Sequence, residues 1–154
     1  MTWPASAGSN RSVQIANLIY IGLFWILLPS LALAAWKWGE QPERQVSVSY
    51  IAAAAASMIV RSSAYYQAEL ALLAVDILLL AGLISIALSA DRFWPMPSAA
   101  LQALPCLAHL HKLIEPRSYT LGYQILAECS GYPMLAILGL GIWRARARAM
   151  REAG

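Results

Sequence analysis

Three side chains able to hold or move a proton, Asp76, His109 and Glu128, lie in stretches that otherwise carry almost no charge. A carboxyl desolvated beside an imidazole can titrate near neutral pH. An acid, a ring and a second acid at one level would therefore form a proton relay or a cation site. Their neighbours extend the pattern: Gln102 and Cys106 share a helical face with His109, and Gln124, Glu128 and Tyr132, spaced by four, share another. Asp76 has Glu69 two turns before it on nearly the same face. The same groups also have a structural use. Protonated or paired, they would fix how three helices pack, each contact contributing about 1 kcal/mol.

Other chemistry is poorly represented. The two histidines, His109 and His111, stand two apart on a helix and point to different faces, so they cannot clamp one ion together. A metal therefore stays unassigned, and a haem held between histidines of two helices is not expected. No HExxH, nucleophile elbow or glycine-rich phosphate loop occurs, and no catalytic residue is assigned. The expectation is a non-enzymatic protein with no cofactor beyond bound lipid. Cys106 and Cys129 form no CxxC pair and say little about redox setting.

Whether the polar residues meet depends on the segments that carry them. The 154 residues are 60% hydrophobic and 12% charged, with a mean hydropathy of +0.56, where a soluble domain has about 25% charged residues. Crossing about 30 Å of hydrocarbon takes about 20 helical residues. Segments 15–36, 68–90 and 121–143 meet that length cleanly. Segment 46–60 is short and reaches a full span, 46–66, by including Arg61, which can snorkel from a helix end. Segment 96–114 is long enough but interrupted by Gln102, Pro105, His109 and Lys112. The expected fold is an all-α integral membrane bundle forming one transmembrane domain over 1–154, with five spans, or four if 46–60 does not cross.

Basic residues set the orientation. Arg144, Arg146, Arg148 and Arg151 crowd after the last span, which places the tail 144–154 in the cytoplasm and gives these arginines a topology or lipid-headgroup role. Docking onto an acidic partner is their other use, and nucleic-acid binding fits poorly because no folded domain presents them. Five spans put Lys37, Arg44 and Arg92 on the same side and leave Arg11, Arg61, Lys112 and Arg117 outside with the N-terminus. The same arrangement gathers Trp36, Trp38, Trp94 and Trp143 at the cytoplasmic interface, and Tyr65, Tyr66, Tyr119 and Tyr123 at the other. Measured from the middle of each span, Asp76, His109 and Glu128 all lie about 5 Å toward the outer side, at one level.

The first segment, with Arg11 ahead of it and Ala32, Leu33 and Ala34 near its end, has the layout of an export signal, but its apolar run exceeds the usual core of about 7 to 15 residues. A retained span is expected. Ala81, Ser85 and Ser89 form a small-residue stripe along the third span that would let another helix approach closely, and Gly139 and Gly141 suggest close packing on the fifth.

Residues Ser89, Ala90, Asp91, Arg92, Phe93, Trp94 and Pro95 form a tight corner, with an acid and a base, two aromatics to anchor, and a proline where a helix can begin. At this corner, which follows a span with Asp76 at mid-membrane, the chain resembles a group of small, uncharacterised bacterial inner-membrane proteins. The resemblance covers about the second half of the chain. It implies a multi-pass setting in the bacterial inner membrane and assigns no activity. Two functions follow as expectations. One is an accessory or assembly subunit of a larger membrane complex, with other membrane subunits or copies of itself as partners besides lipid and no nucleic acid. The other is a small proton- or cation-coupled transporter or channel using Asp76, His109 and Glu128.

Overall fold

The computed structural model of the protein describes residues 7–60, 65–114 and 130–153. They fold as five helices, α1 (Ala7–Trp38), α2 (Gln41–Val60), α3 (Tyr65–Ser89), α4 (Pro95–Ile114) and α5 (Gly131–Glu152), and no strand occurs among the described residues. Each helix packs on the next in sequence up to α4. Then α5 closes the ring by packing on both α4 and α1, and it also touches α2. The result is an all-helical bundle.

The breaks between helices are built from local chemistry. After α1 the chain turns within two residues. A Cβ at Gly39 would stand 2.5 Å from the Ala35 carbonyl oxygen and 2.8 Å from the Glu43 Cβ, so no larger residue fits unless one of them moves. The Glu40 N–H then donates to Glu43 Oε2 at 3.0 Å, one half of a capping box for α2. At the corner after α3, the Arg92 N–H donates to the Ala90 carbonyl, and Pro95 opens α4 at a position where its missing N–H leaves no bond unmade. Within α1, Pro29 removes one backbone donor, and the Ser30 hydroxyl donates to the Ile26 carbonyl in the same turn.

The interior combines large apolar side chains, such as Leu28, Leu135 and Ile142, with alanines. Ala35, Val46, Leu83 and Leu138 are fully enclosed, and Ala32, Ala99 and Ala145 let backbones come close. The outside is apolar: Leu78, Leu88, Ile59 and Leu33 are each more than 70% exposed. Two helices, through Leu18–Trp38 and Leu70–Ser89, are long and apolar enough to cross a membrane, and only 17% of either stretch is buried. Among the described residues the other three helices fall short of that measure, so the expected five spans are not established by length and apolarity. Glu43, Arg44 and several serines dilute α2, Gln102, the histidines and Lys112 dilute α4, and four arginines dilute α5.

The last helix runs past Trp143, the expected end of the span, to Glu152, so the arginine tail is helical and Arg144, Arg148 and Arg151 can share a face. Its Ala–Arg alternation has high helix propensity, and no glycine or proline interrupts it. The expected start of that span, 121–129, lies outside the described residues. Trp94 was placed at the interface with the other tryptophans. It is buried instead, at 8% exposure, while its neighbour Phe93 takes the outward position at 84%. The indole needs the room that Gly141 on α5 leaves: a Cβ there would stand 2.9 Å from the ring.

That contact is testable. Gly141→Ala must displace the Trp94 indole and should destabilise the bundle by about 1–3 kcal/mol, read as a lower thermal midpoint in detergent. Gly22→Ala is the control. Its added Cβ would meet nothing within 4 Å, so the midpoint should hold or rise slightly; equal behaviour of the two variants would contradict the packing.

Candidate functional site between two helices and its ionic counterpart

Three of the residues singled out above come together where α3 packs on α4. Gln102 and His109 lie two turns apart on one face of α4, so both point at the same strip of α3. The Gln102 Nε2 donates to Asp76 Oδ1 at 2.9 Å and leans on the Asp76 carbonyl at 3.4 Å. His109 Nε2 stands 3.4 Å from the other carboxylate oxygen, Oδ2, within range of an ion pair when the ring is protonated. Cys106, between the two on α4, is partly buried and close enough to feel the Asp76 charge.

The Gln102 amide is almost fully buried and fixes the carboxylate orientation, while Asp76 and His109 keep 20% and 12% of their side chains exposed. A held carboxylate and an imidazole therefore meet at the rim of the helix pair. Among the described residues no group of three His, Cys, Asp or Glu side chains is placed to hold a metal ion.

The remaining predicted residues are placed as follows. Gln124 and Glu128 lie outside the described residues, and so does Cys129. Tyr132 lies at the α1–α5 contact, where its hydroxyl donates to the Tyr20 carbonyl and its ring lies 4.5 Å from the Tyr20 ring, tilted at 53°. Ala81, Ser85 and Ser89 face outward. Their hydroxyls turn back onto their own helix, Ser85 to the Ala81 carbonyl at 2.8 Å and Ser89 to the Ser85 carbonyl at 2.7 Å. The stripe thus presents small side chains whose polar atoms are already bonded. Gly139 and Gly141 do meet neighbours, Leu31 and Trp94.

A second polar constellation was not singled out from the sequence. Glu40, in the break between α1 and α2, accepts from Arg92 at 2.9 Å through Oε2 and from Arg148 at 2.8 and 3.1 Å through Oε1. One carboxylate thereby joins three chain segments 52 and 108 residues apart in sequence. Arg146 lies 4.8 Å over the Trp38 ring, and Lys37 lies 5.0 Å from the same ring. Arg144 and Arg151 remain exposed. The tail therefore has partners within the chain at two of its four arginines. The available sequence signal was a break of mixed charge facing two arginine-bearing ends.

Deeper at this end, Glu43 is fully enclosed. Its Oε2 accepts the cap bond, while Oε1 and the Trp94 Nε1 find no hydrogen-bond partner among the described residues, and the Tyr50 and Ser98 hydroxyls are buried close to one another. Buried polar groups without a partner are costly in any interior.

The hydrogen bond from Arg148 is the largest effect on the Glu40 carboxyl; burial opposes it, and the charges of Arg148 and Arg92 with the Arg92 hydrogen bond tip the balance and hold the group below its ordinary range. A depressed carboxylate stabilises the folded state at pH above its unfolded value, and that contribution disappears as pH falls through the folded value. Glu40 is 43% exposed in its side chain, so each pair contributes at most about 1 kcal/mol. Glu40→Gln should lower the thermal midpoint at pH 7, and the gap between the two proteins should narrow as acidification protonates the Glu40 carboxyl. A gap that stays the same across the whole acid range would rule out the ionic origin.

Compared with known proteins, the chain matches no family model, no curated protein and no solved structure.

Proposed function

We propose that the chain is a small multi-pass protein of a bacterial inner membrane, and that it acts as an accessory or assembly subunit of a larger membrane complex. In this reading it crosses five times, with the N-terminus outside and the arginine-rich end of α5 in the cytoplasm. The observation that carries it is the outward face. Apolar side chains surround α1 and α3, and such helices belong either in a protein core or in lipid. With 17% of those stretches buried, the core alternative is disfavoured. The shared ion cluster supports five crossings, because Glu40, Arg92 and Arg148 bring the ends of all five helices to one side. That side also carries Lys37, Arg44, Arg144, Arg146 and Arg151, the bias that retention of basic residues in the cytoplasm would produce.

A subunit role is favoured by what the bundle leaves uncovered. The Ala81, Ser85 and Ser89 stripe is outward, small and internally hydrogen-bonded, so a second helix could approach closely without stripping water or bonds from it. Mild-detergent extraction followed by native separation and mass spectrometry should find the protein in a stoichiometric larger assembly. Ser85→Trp should release the partner while leaving the protein inserted and folded. A wild-type protein that migrates alone, or a Ser85→Trp variant that retains its partner, would remove the basis for this reading.

One observation favours a second reading, a proton- or cation-coupled transporter. It is the contact of Asp76 with His109 between two helices, with the carboxylate held by Gln102. Asp76→Asn separates the uses of this cluster. Asn keeps an acceptor for Gln102 and loses the charge, so a conducting site should lose flux at unchanged thermal midpoint. A packing site should show a lower midpoint with no flux to lose.

A further inference from the structure

An open groove of about 430 Å³ runs along the outer junction of α2 and α3, lined by Arg44, Gln45, Val48, Ser49, Gly82 and Ile86. Its two ends differ in chemistry. Arg44 and Gln45, in the first turns of α2, are exposed and supply a guanidinium and an amide. Below them the wall is apolar: the Ser49 hydroxyl is spent on the Gln45 carbonyl at 2.9 Å, and Gly82 leaves open space where a side chain would stand. The groove is therefore cationic at the end shared with the Glu40 cluster and greasy toward the middle of the bundle.

Arg44 carries charge that the nearby acids do not match. Glu40 is held by Arg92 and Arg148, and Glu43 is turned into the core with one oxygen on the Glu40 N–H. Two touching helices lie about 8–10 Å apart, so the cleft between them has the width of an extended hydrocarbon chain, not of a further helix about 10–12 Å across. From Arg44 to Ser49 it descends about 7 Å, the distance from a phosphate past the ester linkages to the first methylenes.

We propose that this groove binds an anionic phospholipid of the cytoplasmic leaflet, its phosphate on Arg44 and Gln45 and the upper part of one acyl chain over Val48, Gly82 and Ile86. The inference rests on the membrane reading above. Arginine suits the role because its planar fork pairs with phosphate oxygens through two bonds at once.

The test uses the purified full-length protein in mild detergent, titrated with phosphatidylglycerol or with phosphatidylcholine of the same chains and read by native mass spectrometry. Wild type should retain phosphatidylglycerol at about fivefold lower concentration than phosphatidylcholine, the preference expected from one well-placed basic residue. Arg44→Gln should erase the preference, and Gly82→Leu, which fills the groove, should weaken both lipids. Thermal midpoints of both variants should match wild type, because neither position supports the core. Equal retention by wild type and both variants, from protein that stays in membranes after an alkaline wash, would overturn the lipid site while leaving the membrane reading standing. Release of a polypeptide instead of lipid by Gly82→Leu would also overturn it, assigning the groove to a partner helix. Recovery of the protein in the alkaline supernatant would overturn the membrane reading and this inference together.

Discussion

An exterior built of leucine, isoleucine and tryptophan around an interior that holds Glu43, Ser47, Ser98 and Gln102 inverts the usual economy of a helical protein. In water, burying apolar surface would drive such helices together. In lipid, the setting proposed above, that drive would be absent between helices, because the surroundings are as apolar as the side chains. Close contact and hydrogen bonding would then hold the helices together, and the bundle has both. Ala35, Ala99 and Ala145 bring backbones together, Gly141 admits the Trp94 indole, and Gly39 lets α1 and α2 turn almost without a loop. Within this largely apolar interior, Glu43, Ser47, Ser98 and Gln102 are buried polar side chains that the packing has to accommodate.

The two polar constellations divide this work. At one end Glu40 gathers the α1–α2 break, the α3–α4 corner and α5, so the register of one helix limits the others. Partway along, Asp76, Gln102 and His109 lock α3 to α4, the most extensive helix pair of the fold. A carboxylate beside an imidazole and partly open to the exterior is more adaptable than packing requires. That leaves the same cluster able to serve assembly or conduction. The outward serines differ: their hydroxyls are satisfied locally, so their face serves approach and not chemistry.

Helical class was legible because it follows from the length and apolarity of the segments. A seven-residue spacing puts Gln102 and His109 on one face whatever their neighbours are, and depth along antiparallel spans suggested one level for Asp76, His109 and Glu128, of which Glu128 lies outside the described residues. Other features were not legible. Trp94 is an ordinary interfacial residue by composition, and only the space left by Gly141 on a helix far along the chain turns it inward. The hub role of Glu40 depends on two long-range partners, which no local spacing encodes. Tyr132 shares a face with Gln124 and Glu128 in sequence, yet its hydroxyl goes to α1. A shared face says which way a side chain points, not which neighbour occupies that direction.

The proposed topology puts the Glu40 end of the bundle in the cytoplasm and residues 61–64, between α2 and α3, on the outer side of a membrane. Single cysteines test it directly, in a background where Cys106 and Cys129 are replaced by serine: Ser63→Cys between α2 and α3 and Asp91→Cys at the exposed α3–α4 corner, probed with a membrane-impermeant maleimide. The account predicts that the first is labelled in intact spheroplasts and the second only after the membrane is opened. Labelling of both before opening, or of Asp91→Cys alone, would contradict it.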